Sequence, residues 1–143
     1  MDYEYGFNGK PCSEYLFGTY SKVVSTLVFR SLDDELYELP DGTPTDGASA
    51  RLCWGYINLL PAPVQNNPAS WLHDHHYRTG WVFRDGKPFR KITRAEADDV
   101  FRQCLEAYNM SPSVCGRAYR ALRLFGWRPW NAYRKHENAR RKA

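Results

Sequence analysis

His73-Asp74-His75-His76-Tyr77 gathers imidazole, carboxylate and phenol groups within little more than one helical turn. On a helix each residue turns about 100°, so His73 and Tyr77 lie about 40° apart and Asp74 about 60° from Tyr77. These three share a face, and His75 points away from it. A second carboxylate, Asp98, stands on what reads as the next helix. There Val100, Phe101, Cys104, Leu105 and Tyr108 repeat as an apolar stripe. Asp98 falls within about 20° of Leu105 and therefore points inward, while Asp99 points outward. A carboxylate on a buried face is costly unless it is paired. His73 on the facing helix is its natural partner.

A carboxylate that holds one ring nitrogen fixes the imidazole tautomer and leaves the other nitrogen as a general base. Asp74 and Asp46 are then left for a hard cation. Calcium takes carboxylate and carbonyl oxygens, and Gly47 lets a loop backbone approach an ion closely. Such a cation would polarise a carbonyl as water attacks it. The competing reading is that His73 and Asp98 form a buried polar pair that only locks two helices together. Tyr77 serves either reading, because its hydroxyl can satisfy the buried carboxylate. Zinc fits less well: His73 and His76 are spaced i, i+3, but there is no H-E-x-x-H and the cysteines lack ligand spacing. No G-x-S-x-G, P-loop or dinucleotide fingerprint is present.

The elements that must position these groups can be read from punctuation and period. Residues 1–20 are turn-rich and aromatic without a clear period. Residues 22–32 are β-branched and aromatic-rich and predict a strand, with Leu36–Leu39 as its partner, ended by Pro40-Asp41-Gly42. Residues 43–50 read as a loop of small residues. Residues 51–65 suggest a short helix and a loop, broken by Gly55, Pro61 and Pro63. Asn67-Pro68 opens the helix that carries His73, which ends near Gly80. Residues 82–91 read as an exposed turn around Asp85-Gly86. Thr93-Arg94-Ala95-Glu96 is a capping box that opens a helix over about 94–108. Ser111-Pro112 opens a third over about 112–125, stopped at Gly126.

The chain of 143 residues, 43% apolar and 15% aromatic, is large enough for one domain with a real core. Domain boundaries are expected at 1–133, with a basic, frayed tail over 134–143. No apolar run approaches the roughly 18–20 residues of a membrane span. Met1-Asp-Tyr-Glu-Tyr has neither the basic nor the apolar region of a signal peptide. Cys12, Cys53, Cys104 and Cys115 are scattered, so they read as free thiols.

The net charge of +4 is divided unevenly: residues 1–50 carry 9 acids and 3 bases, residues 51–143 carry 7 acids and 17 bases. Such asymmetry suits an anionic partner for the C-terminal half, or only a charged surface that keeps the protein dissolved. On the third helix Val114, Ala118, Leu122 and Phe125 predict the core stripe and the arginines a solvated face. Trp127-Arg128-Pro129-Trp130 is aromatic enough to pack on the core or on a neighbouring subunit.

These motifs carry a resemblance. Thr45-Asp46-Gly47-Ala48-Ser49, Leu72-His73-Asp74-x-x-Tyr77, Arg94-Ala95-Glu96-Ala97-Asp98-x-x-Phe101 and Tyr119 through Trp127 resemble a family of small phage and prophage proteins of uncharacterised function. The same core resembles the short bacterial and fungal type of secreted phospholipase A2, with its Asp-Gly-Cys-Ser loop, His-Asp-x-x-Tyr helix and Asp-x-x-Phe helix. Carried over, the resemblance implies His73 as general base, Asp98 as the carboxylate that orients it and Tyr77 beside them. It also implies Asp46, Gly47 and Asp74 as a calcium site. Ala48 stands where that loop has cysteine, so its disulfide is missing here.

The expected fold is a small, mainly α, α+β domain. Two antiparallel core helices would be joined by a third helix and a short β-ribbon, in a phospholipase A2-like arrangement. The expected function is a phage-encoded hydrolase of lipid esters that uses calcium and meets a phospholipid membrane surface. The alternative is a structural virion component, at a tail, portal or capsid, that keeps the fold without the activity and meets other virion proteins. A nucleic-acid-binding module ranks below both. The protein is expected in the host cytoplasm, then in the virion or released at lysis.

Overall fold

The computed structural model describes residues 6–8, 13–17, 20–23, 25–46 and 68–142. In chain order these form β1 (Gly6–Asn8), β2 (Ser13–Phe17), β3 (Tyr20–Val23), β4 (Leu27–Arg30), β5 (Leu36–Leu39) and β6 (Pro44–Asp46). There follow α1 (Pro68–Thr79), β7 (Trp81–Arg84), β8 (Lys87–Lys91), α2 (Arg94–Ala107), α3 (Pro112–Phe125) and α4 (Trp127–Lys142). The architecture is α+β, with helices packed on small antiparallel sheets. Among the described residues no helix is long and apolar enough to cross a membrane. The expected helix and loop over 51–65 lie outside the described residues.

The strand expected over 22–32 is two strands, and each joins a different sheet. β4 pairs with β1 and β5, while β3 pairs with β2 and β6. In the β4–β5 register Leu27 faces Leu39 and Phe29 faces Tyr37, and all four are buried. Alternation of buried and outer residues along both strands gives this ribbon one core face. β6 corrects the expected small-residue loop. Pro44 has no N–H to donate, yet it fits at the start of a strand on a sheet edge.

The segment over 82–91 is not an open turn but the β7–β8 hairpin. Asp85 and Gly86 both take positive φ, at 52° and 75°, which matches the tight turn that follows strand twist. Glu38 of β5 fixes that turn. Its carboxylate accepts from the Asp85 amide at 2.9 Å and the Gly86 amide at 2.7 Å.

α2 starts as its capping box predicts, with Thr93 Oγ1 accepting from the Glu96 amide at 3.1 Å. Glu96 itself turns to the sheet instead of closing the box. It accepts from Tyr37 at 2.9 Å and from both Arg90 guanidinium nitrogens at 2.9 and 2.7 Å. α3 starts from Ser111, whose hydroxyl accepts from the Val114 amide, and Gly126 closes it.

The core runs between sheet and helices. Leu72 and Tyr77 of α1, Phe101 and Leu105 of α2 and Leu122 of α3 are fully enclosed. Each such side chain contributes about 1.5–3 kcal/mol. Cys104 and Cys115 are buried free thiols. The expected stripe on α3 is wrong at its end: Cys115 is buried and Phe125 is exposed.

α4 changes the reading of the C-terminus. The basic segment from Arg134, expected to fray, is the second half of a helix that reaches Lys142. Arg134 Nη2 donates to the Tyr77 carbonyl at 2.7 Å and the Arg78 carbonyl at 2.8 Å. These are last-turn acceptors of α1, so α4 caps α1. Gly80, at φ 73°, leaves room for that guanidinium, which a Cβ there would strike. Of the aromatic run, Trp130 packs edge-on against Tyr77 and Pro129 is buried, while Trp127 stays exposed.

Candidate active site

α1 presents His73 and Tyr77 one turn apart to the inward face of α2. His73 Nε2 lies 3.0 Å from Asp98 Oδ1, and the Tyr77 hydroxyl donates to the same oxygen at 2.6 Å. The His73 ring packs at a tilt against two aromatic neighbours, with centroids 4.2 Å from Tyr77 and 4.9 Å from Phe101. The three residues expected to form the catalytic group do meet in the interior.

Asp98 is fully enclosed, and only 3% of the His73 side chain reaches solvent. Burial pushes the Asp98 carboxyl toward higher pKa. Hydrogen bonds from His73, Tyr77 and Arg123 outweigh it and hold the group below the usual carboxylate range. Asp98 is therefore an anion, which makes His73 Nε2–H the donor in their contact and Nδ1 the basic nitrogen of the ring.

Two arginines complete the arrangement. Arg123 Nη1 of α3 donates to Asp98 Oδ2 at 2.9 Å. Arg94 Nη1 lies 3.5 Å from the same oxygen and donates to the Leu122 carbonyl at 3.0 Å. Neither was singled out from the sequence. Arg94 had a usable signal, because it precedes an inward carboxylate by four positions. Arg123 had the opposite signal, since helical period places it among the solvated arginines of α3.

Asp74 does not join this group. It is partly buried, and its Oδ2 lies 3.2 Å from Arg78 Nη2. Arg78 Nη1 reaches the Pro44 carbonyl of β6 at 3.4 Å. The Asp74 side of α1 thus faces the strand that ends at Asp46. The Asp46 side chain and Gly47 lie outside the described residues. Among the described residues no group of three or more His, Cys, Asp or Glu side chains is placed to hold a metal ion. Asp74 offers a hard oxygen donor of the right kind for calcium, and a cation there would share it with Arg78.

His75 and His76 belong to the core rather than to the site. His75 packs on Phe83 of the hairpin, with centroids 4.7 Å apart, and His76 meets Tyr37 at 5.6 Å. Burial, with Arg78 adding to it, lowers the His75 pKa to about 4. Burial lowers His76 well below the ordinary value, with His75, His73 and Arg90 adding repulsion. Both rings are neutral near pH 7. His75 Nε2 and both ring nitrogens of His76 have no hydrogen-bond partner among the described residues.

A family profile described as protein of unknown function (DUF1353) matches residues 21–122. The match runs from β3 to the last turn of α3, so it contains His73, Tyr77, Arg94 and Asp98 and stops one residue before Arg123. No curated protein and no solved structure matches the chain. With most of its length inside that profile, the chain belongs to the DUF1353 family of proteins of unknown function.

Proposed function

We propose that this protein is a phospholipase A2-like hydrolase of lipid esters, with His73 as general base. The observation that carries the reading is the short contact between His73 Nε2 and an enclosed, ionised Asp98. With Nε2–H committed to Asp98, Nδ1 takes a proton from water as the water oxygen bonds to the ester carbonyl carbon. The imidazolium that forms is stabilised by Asp98, and Tyr77 keeps that carboxylate in place. When the tetrahedral intermediate collapses, the ester C–O bond breaks and the proton passes from His73 to the departing alkoxide. Asp74, with Asp46 and Gly47, would hold calcium, which when bound polarises the ester carbonyl.

The test is fatty-acid release from mixed phospholipid vesicles, with calcium and with chelator. Release by the wild type, abolished by His73→Ala, supports the hydrolase. No release under either condition, or equal release by His73→Ala, removes it.

A second reading, a structural virion component that keeps the fold without the activity, is favoured by one observation. Asp98 draws together α1, α2 and α3 through His73, Tyr77, Arg94 and Arg123, as a purely structural knot would.

A further inference from the structure

We infer that the corner between α3 and α4 docks onto an anionic lipid surface. Leu124, Phe125 and Trp127 fall within four residues there, and they are 66%, 48% and 48% exposed. Large apolar side chains seldom cluster in water without a partner. The chain around them is strongly basic. Residues 112–143 hold nine Arg and Lys against the single acid Glu137. Arg117 and Arg120 are exposed and precede Leu124 by seven and four positions, so they share its helical face. Arg128 lies over the Trp127 ring at 5.4 Å, a cation on an amphipathic aromatic. An apolar knob ringed by arginines is the composition that sits at a headgroup boundary, with the apolar tips in the acyl region and the cations among phosphates.

Charge decides among occupants. Two copies meeting through this face would bring like charge against like charge. A nucleic acid would satisfy the arginines and leave Leu124 without a role. An anionic bilayer satisfies both.

The corner is also continuous with the candidate site. Arg123, one residue before the knob, donates to Asp98. Gly126, inside the knob, lies so close to the Tyr77 hydroxyl that a Cβ there would strike it. A bilayer seated on the corner therefore lies beside the His73–Asp98–Tyr77 group. The inference deepens the hydrolase reading and rests on it for its purpose, but the binding itself is measurable without any hydrolysis.

The experiment is cosedimentation of the full chain with vesicles of diether phosphatidylglycerol or diether phosphatidylcholine, which have no ester to cleave. Phosphatidylglycerol vesicles should bind the protein, phosphatidylcholine vesicles at least tenfold less, and added salt should weaken the binding. Leu124→Ser, Phe125→Ser and Trp127→Ser together should lower it at least tenfold with an unchanged circular dichroism spectrum. Arg120→Glu with Arg128→Glu should lower it similarly. Binding retained by His73→Ala supports docking even if the ester assay fails. Failure of the wild type to bind, or undiminished binding by the triple variant, overturns the inference. So does concentration-dependent self-association, or binding of single-stranded nucleic acid, that the triple variant loses while vesicles bind neither protein.

Discussion

Arg123 on α3 donates to Asp98 on α2 at 2.9 Å, on the carboxylate oxygen opposite the one that holds His73. One enclosed carboxylate thus joins a surface-reaching cation to an interior imidazole. Asp98→Asn should remove the charge that both arginines and His73 face. The expected loss is about 3–5 kcal/mol, because partners of a buried ion are left uncompensated. Arg123→Met should cost about 1 kcal/mol, since that side chain is partly solvated. Urea unfolding of both variants checks the order; an Arg123→Met loss equal to that of Asp98→Asn would contradict it.

Tyr77→Phe removes a 2.6 Å hydrogen bond to a charged acceptor. Stability should fall by about 1.5–3 kcal/mol. If the site is hydrolytic, kcat should fall while KM stays near the wild-type value, because the hydroxyl orients Asp98 and not the lipid. A change confined to KM would place Tyr77 against substrate instead.

Stability should fall on mild acidification. His75 titrates at about 4 in the folded chain against 6.5 when exposed, and His76 is shifted the same way. Between those values the unfolded chain binds more protons than the folded one. The stabilisation is thus complete above pH 6.5 and is lost as pH falls toward 4, at about 3 kcal/mol for His75. Asp98 adds to the loss only below its ordinary value of 3.8, since its folded pKa is depressed. His76→Leu removes two buried nitrogens without partners. It should raise stability at pH 7 by about 1–2 kcal/mol and flatten the fall between pH 6.5 and 4.5. Thermal melts across that range decide, and an unaltered pH slope in His76→Leu would refute the assignment.

Gly126→Ala should destabilise by about 1–3 kcal/mol, because the added Cβ meets the Tyr77 hydroxyl and the Leu122 carbonyl at a well-packed corner. Gly116 is a control on the same helix, since a Cβ there meets only the Arg120 guanidinium at 3.9 Å. Gly116→Ala should be neutral or mildly stabilising. Denaturant midpoints that rank the two variants the other way would show that the corner yields.

Arg134→Ala should uncap α1 and lower stability by about 1–2 kcal/mol. Amide exchange should quicken in the last turn of α1 and in Gly80. Protection there equal to the wild type would mean that the guanidinium contributes nothing to the cap.

Local chemistry made part of this protein readable. The start of α2 followed from Thr93 and Glu96, the start of α3 from Ser111 and Pro112, and its end from Gly126. The β4–β5 pairing followed from two β-rich segments around a turn. The meeting of His73 and Asp98 followed from helical period and from the cost of an unpaired inward carboxylate. Each of these depends on residues near in sequence, or on one face of one helix.

Other features depend on what lies across the fold. Arg123 looks like a solvated arginine until α2 brings a carboxylate beneath it. The C-terminal half of α4 looks like loose tail until Arg134 finds the open carbonyls of α1. Residues 22–32 look like one strand until two different sheets claim its ends. Sequence determined where α1, α2 and α3 begin and that Asp98 lies on the apolar face of α2, because those follow from capping residues and helical period. Only the tertiary structure decided that Arg123 shares Asp98 and that Arg134 caps α1, because those partners, 25 and 57 residues apart in the chain, are set by packing and not by any local pattern.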